Sequence, residues 1–341
     1  MIAAACSSVA DPKVAPASST STAVVVAATA EPTAIASSEP APEATAEPGP
    51  PPPPKPEGST YLDLVDAPGD ARLDAAAEAR KGGEAKRARQ MLSKVVSEID
   101  VNGTLDVKMA AHALLGRACQ STGDAKCAAA HYQTVRDLWK DPETAKKAVE
   151  SAGSDDKDKM KRLARALNAE GEALFYVAEE KRLLAEKAKM PEYTGPGKLD
   201  SVATHLRTKV APWIAERRKR IDDAEKAYVA ILQIQPVPPP RWVISAGARV
   251  GDMYARFVAQ FRQTPVPADW KKDGTIPGTT MTYEELRKEY YTRVDEAAEP
   301  YRRQAIGAFK KCQEMSKKYQ YSDALSKQCD DWLARNAPST P

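Results

Sequence analysis

The chain has 341 residues, of which 42% are hydrophobic and 28% charged, and its formal net charge at pH 7 is +3. This length accommodates two ordinary domains or one elongated array. The modest charge excludes the dense, one-sided basicity typical of nucleic-acid-binding proteins, so we expect no nucleic acid among the partners.

Composition divides the chain near residue 60. Twelve of the 27 prolines precede Gly58, and no aromatic residue precedes Tyr61. Residues 1–60 hold two lysines and six acidic residues, a net charge of −4, so residues 61–341 carry +7. We interpret residues 7–60, rich in Ala, Pro, Ser, Thr and Glu, as a tether with too little apolar surface to offset the entropy cost of ordering. The tether is therefore expected to be disordered, and residues 61–341 to form the folded domain.

The first eight residues, MIAAACSS, resemble the lipobox of bacterial lipoproteins, in which small residues precede an acylated cysteine. We therefore interpret residues 1–6 as the end of a signal peptide whose start lies upstream, since a basic and an apolar region are missing here. The resemblance implies that Cys6 carries a lipid. The protein would then lie in the bacterial cell envelope, on the periplasmic side of the outer membrane, and contact the membrane through that anchor only. The alternative is a cytosolic chain that begins with small residues.

A first helical hairpin is predicted from apolar residues spaced three and four apart on both sides of a glycine pair. Its helices are expected over residues 71–80 and 84–99, with the turn at Gly82 and Gly83. Leu73 in the first helix and Leu92 in the second mark the faces that should pack together.

Residues 109–142 have the length of a second helical hairpin, with turn and helix-ending residues at the expected positions. Gly123 and Asp124 mark its turn, and Pro142 follows its end. The pattern resembles the tetratricopeptide family, in which hairpins stack into a right-handed array and each hairpin needs its neighbours to bury its apolar face. Small residues in this motif let the two helices approach closely. The residues that carry the resemblance are Leu115, Gly116, Ala128 and Tyr132.

Three longer helices follow in the prediction. The first begins at Leu163 and ends near Pro191, and the second extends over residues 202–231 with a kink expected at Pro212. The third, residues 242–261, follows a proline-rich break.

The third of these helices repeats the glycine and aromatic spacing of the motif with Gly251 and Tyr254. The proline break, a tryptophan and this helix together are similar to repeat proteins of myxobacterial envelopes. This likeness implies a second structural repeat unit in the C-terminal half.

The rest of the chain is predicted to contain two loops and a last hairpin. Residues 264–282 form a long polar connection, which is either functional or an insertion on an exposed surface. The segment TGPGK, residues 194–198, lacks the first glycine and the final Ser or Thr of a phosphate-binding loop. We interpret it as an ordinary loop. The last hairpin is expected over residues 286–315 and 321–334.

Four cysteines form two matched pairs. Cys119 and Cys127 are each four residues from Gly123, and Cys312 and Cys329 are each 8.5 residues from the centre of the last turn. In antiparallel helices, equal distances from the turn mean equal heights, so both pairs can reach disulfide geometry. Two disulfides suit an oxidising envelope compartment. The alternative is four buried free thiols in a cytosolic helical protein.

We predict no metal, cofactor or catalytic residue. His112 and His131 lie near the first cysteine pair and superficially suggest zinc, but His112 precedes Cys119 by seven residues. That spacing is about 10 Å along a helix, too far for both to bind one ion. The charged run of residues 216–226 is typical of a solvated helix face. The functional alternative for this run is a docking patch for an acidic peptide or an anionic polymer.

The sequence therefore predicts an all-α, right-handed array of antiparallel helical hairpins with a disordered N-terminal tail. The favoured function is a non-catalytic scaffold that holds a protein or peptide in its concave groove and assists assembly of a surface or outer-membrane complex. One alternative is an envelope glycan hydrolase, which requires a cleft with two close carboxylates, one of raised pKa. The other is a cytosolic repeat adaptor, which requires reduced cysteines.

Overall fold

The computed structural model describes residues 68–264 and 266–336. This part of the chain is all-helical, and its only β feature is an isolated bridge between Thr275 and Thr282. The predicted all-α class is therefore confirmed for these residues. Its α-helices are α1 (Ala71–Lys81), α2 (Ala85–Asn102), α3 (Leu105–Ser121), α4 (Ala125–Leu138), α5 (Pro142–Ser151), α6 (Asp156–Glu186), α7 (Leu199–His205), α8 (Ala211–Leu232), α9 (Pro240–Arg262), α10 (Tyr283–Tyr319) and α11 (Ala324–Asn336).

Local sequence explains where these helices begin and turn. Asp124 begins α4 by accepting a hydrogen bond from the backbone of Cys127, and the preceding Gly123 adopts a φ of +79° that glycine tolerates best. Thr282 and Glu285 form a reciprocal capping box at the start of α10. The turn before α4 and the start of α10 are therefore specified by the residues at those positions.

The two helices of each predicted hairpin pack against each other, and α6 lies at the centre of the contacts. Helix α1 packs on α2, α2 on α3, and α3 on α4, while α6 contacts α3, α4, α5, α8 and α9. Helices α9, α10 and α11 form the C-terminal group. Helices α6 and α10 have 31 and 37 residues, so they exceed the helices of the first two hairpins.

Prolines occur within two of the long helical segments. Pro212 lies in the first turn of α8, just after a π turn, Leu206–Val210, through which α7 continues into α8. Pro300 lies inside α10 and neither ends nor restarts that helix. Among the described residues, no helix combines the length and the apolar composition that a bilayer crossing requires.

Apolar residues at helical spacing predict the packed face of α6, namely Leu163, Leu167, Leu174, Val177 and Leu184. This prediction is wrong at Leu184. Leu184 is 54% exposed, and the neighbouring Ala185 is buried instead. Leu184 follows Leu174 by ten residues, which is about 280° around a helix, whereas Ala185 is only about 20° from Leu174. The side chain of Arg217 crosses this position and donates a hydrogen bond to the Ala185 carbonyl, so a small residue fits there.

Candidate functional site

The first set of motif residues is buried where the second hairpin meets α6. Leu115 is 3% exposed, Tyr132 is 2% exposed and Ala128 is fully buried. A Cβ added to Gly116 would lie 3.1 Å from the ring of Tyr132, so the glycine leaves room for that ring. The ring of Tyr132 stacks on Tyr176 of α6, with 4.6 Å between centroids. These positions therefore serve packing between helices.

The second set, Gly251 and Tyr254, is also structural. A Cβ added to Gly251 would lie 2.7 Å from the ring of Phe309, so the glycine lets α9 and α10 approach closely. Tyr254 is 5% exposed, and its hydroxyl donates a hydrogen bond to Glu225 of α8 over 2.6 Å. The repeated spacing seen in the sequence thus marks helix contacts rather than groups that face solvent.

Both predicted cysteine pairs lie at disulfide distance. Cys119 and Cys127 join α3 to α4 with a Cα separation of 5.7 Å, and Cys312 and Cys329 join α10 to α11 at 6.4 Å. Antiparallel packing places residues equidistant from a turn side by side, as the sequence predicts. The proposed lipidation site Cys6 and the tether lie outside the described residues.

Three buried tyrosines donate their hydroxyls to glutamates on other helices. In each case burial, followed by the neighbouring carboxylate, raises the pKa of the phenol, so the hydroxyl keeps its proton and remains a donor. The pairs are Tyr132 with Glu172, Tyr228 with Glu179, and Tyr254 with Glu225. Each of these glutamates therefore accepts a hydrogen bond that joins two helices.

Glu170 differs from those glutamates because it has no such donor. Its side chain is 7% exposed, and its Oε2 accepts no hydrogen bond from any described residue. Burial raises its pKa from 4.5 to about 7, while Arg136 offsets part of this effect. A carboxyl group of raised pKa is one of the two features that the hydrolase alternative requires, the other being a second carboxylate beside it in a cleft. Glu170 nevertheless lines neither of the two open grooves described below.

The two histidines near the first cysteine pair bind each other. Nδ1 of His112 lies 2.9 Å from Nδ1 of His131, and Nε2 of His112 lies 3.0 Å from Asp100 of α2. Burial, then the neighbouring His112, lowers the pKa of His131. No group of three or more metal ligands occurs within residues 68–264 and 266–336. The chain of polar contacts joins α2, α3 and α4.

An open basic groove lies along α2, which we call the α2 groove. It encloses about 610 Å³ and contains three cationic side chains and no carboxylate. One wall is the turn between α3 and α4, which contributes Thr122. The lining residues are Lys86, Arg89, Gln90, Ser93, Lys94 and Thr122.

A second open groove lies between the segment after α6 and the end of α9. It encloses about 510 Å³ and carries one lysine and one glutamate, so its lining has no net charge. Its lining residues are Lys189, Met190, Pro191, Glu192, Tyr193, Thr194, Gln260 and Gln263. Because charge does not select a ligand here, the α2 groove is the better candidate site.

Sequence reasoning missed the α2 groove and placed its docking alternative on residues 216–226. The spacing of Lys86, Arg89 and Lys94 on one predicted helix was the available signal, but the turn that forms the wall is distant in sequence. Comparison with protein-family models, curated proteins and solved structures found no significant match.

Proposed function

We propose that this protein is a non-catalytic scaffold for protein–protein interaction. Its helical hairpins would stack as a right-handed, tetratricopeptide-like array, and a lipid on Cys6 would anchor it on the periplasmic side of the outer membrane. There it would hold a protein or peptide partner and assist assembly of a surface or outer-membrane complex.

The burial of Leu115 and Tyr132 between the second hairpin and α6 supports this proposal most directly. In an array each hairpin covers the apolar flank of its neighbour. Both motif residues are buried, and the ring of Tyr132 stacks on Tyr176 of α6. The hydroxyl of Tyr132 also donates to Glu172 of α6 over 3.0 Å. Hairpin contacts use the motif residues, which leaves exposed surfaces available for a partner.

The two cysteine pairs at disulfide distance support an envelope location, because cytosolic thiols are kept reduced. The cytosolic adaptor requires four free thiols at the same positions. The hydrolase alternative draws some support from the raised pKa of Glu170. It still requires a second carboxylate beside an accessible cleft, and no carboxylate lines the α2 groove.

Mass spectrometry of the protein purified unreduced from its native host tests the location. The proposal expects a diacylglyceryl mass on Cys6 and the loss of four hydrogens from the four cysteines of the two pairs. An unmodified Cys6 together with four free thiols would refute the envelope location. Crosslinking in the same cells tests the scaffold function, which requires at least one protein adduct of the full-length chain.

A further inference from the structure

We infer that the α2 groove binds an extended acidic peptide whose carboxylates lie at alternate residues. This inference rests on the proposed scaffold function and names the chemistry of its partner. It starts from the positions of Lys86, Arg89 and Lys94 along one side of α2.

The three cations form a stripe of defined length. Lys86 and Lys94 are eight residues apart, which is about 12 Å along a helix axis, and Arg89 lies between them. In an extended peptide, residues i, i+2 and i+4 point to the same side and span about 13 Å. The outer two of three alternate carboxylates therefore match the reach from Lys86 to Lys94, and the middle one lies near Arg89, whose charge is partly balanced by Asp124.

Arg89 is oriented by two hydrogen bonds and retains unused N–H donors. One of its Nη atoms donates to Asp124 over 2.7 Å and the other to Thr122 over 3.3 Å. A guanidinium has five N–H donors, so three remain after these two bonds. The α3–α4 turn thus orients the guanidinium before a ligand arrives, which reduces the entropy cost of binding.

Lys86 and Lys94 are exposed, and neither has an ion-pair partner among the described residues. Gln90 and Ser93 lie between them in the same lining. Their side chains can hydrogen-bond a peptide backbone, a feature that a flat anionic lipid surface does not need. The groove volume also lies within the range of about 300–1,000 Å³ typical of binding pockets. A peptide therefore fits this site better than a membrane does.

The test is a titration of the full-length, unreduced protein with a dye-labelled Glu-Ser-Glu-Ser-Glu peptide, followed by fluorescence anisotropy. We expect binding that weakens as NaCl rises from about 0.02 to about 0.5 M, since salt screens the contacts. The double variant Lys86→Gln/Lys94→Gln should bind about 2- to 30-fold more weakly. Circular dichroism should be unchanged, because both side chains are exposed.

The matched control is Lys310→Gln/Lys318→Gln, which removes two exposed lysines with the same spacing from α10. Equal weakening by both double variants would overturn the inference, because binding would then follow net charge alone. An absence of peptide binding would also overturn it. So would binding to phosphatidylglycerol vesicles through Lys86 and Lys94 without peptide binding, since the surface would then face a membrane.

Carbodiimide crosslinking in the native host separates this inference from the function on which it rests. The reagent joins lysine amines to carboxylates, and peptide mapping then locates each bond. Partner peptides attached at Lys86 or Lys94 would support the α2 groove. Adducts only at other lysines would overturn the groove and leave the scaffold function standing, whereas an absence of any adduct would count against both.

Discussion

Glu170→Gln should make the protein more stable, and only at neutral and alkaline pH. Glu170 is 7% exposed, and its pKa rises from 4.5 to about 7 on folding because burial disfavours the charged carboxylate. Between these two pH values the folded chain holds a proton that the unfolded chain releases. The contribution of Glu170 to stability therefore falls as pH rises from about 4.5 to about 7 and stays low above that range.

The size of the effect follows from the pKa difference. Since one pKa unit corresponds to about 1.4 kcal/mol, a shift from 4.5 to about 7 costs about 3 kcal/mol at pH 8. A glutamine has nearly the shape of the protonated acid and carries no charge. The variant should thus match the wild type near pH 4 and exceed its free energy of unfolding by about 3 kcal/mol at pH 8.

Urea denaturation at several pH values measures this difference, provided that the slope of the transition stays the same. The control is Glu180→Gln on the same helix, where the side chain is exposed and the change should stay within about 0.5 kcal/mol. A difference between wild type and Glu170→Gln that does not vary with pH would refute the reasoning. A variant less stable than the wild type at pH 8 would refute it as well.

Three further predictions concern packing, acid and reduction. Gly251→Ala should destabilise the protein by about 1–3 kcal/mol, read from its melting temperature, because the new Cβ would meet the ring of Phe309 at 2.7 Å. The lowered pKa of His131 means that this imidazole reduces stability as pH falls below 6.5, opposite in sign to the effect of Glu170. His131→Asn should therefore gain stability relative to the wild type as pH falls through this range, and a difference between the two that does not vary with pH would contradict the assignment. Reduction should cost about 2.5 and 3 kcal/mol for the two cysteine pairs, with sequence separations of 8 and 17, and a denaturation midpoint insensitive to reductant would show that the pairs are not bonded.

Packing between helices follows from the sequence where the two helices are neighbours along the chain. The first two hairpins follow from apolar spacing and glycine turns, and the cysteine pairs follow from symmetry about those turns. One exception concerns Val95, which follows Leu92 by three residues and is therefore predicted on the packed face. Val95 is only half-buried, while the adjacent Val96 is 6% exposed. An amphipathic face is wide enough to contain either residue, so spacing alone does not choose between them.

Contacts between distant segments were not predictable in the same way. Arg217 belongs to a run interpreted as a solvated face, yet it is 2% exposed because its guanidinium reaches the carbonyl at the end of α6. Trp270 was assigned to a polar connection, yet it is 3% exposed. The residues that cover these side chains lie about 30 and 70 positions away, so no local pattern reveals them.

The connection after α9 is fastened to the TGPGK loop by reciprocal bonds. The backbone N–H of Gly197 donates to Asp269 over 3.0 Å, and Nε1 of Trp270 donates to the carbonyl of Gly197 over 2.7 Å. An added Cβ at Gly197 would lie 2.4 Å from Asp269, so these two hydrogen bonds require a residue without a side chain at this position. Although this connection is long, it is therefore a poor site for inserting a tag or a grafted segment. Gly83, around which an added Cβ meets nothing within 4 Å, is the roomier place to lengthen the chain.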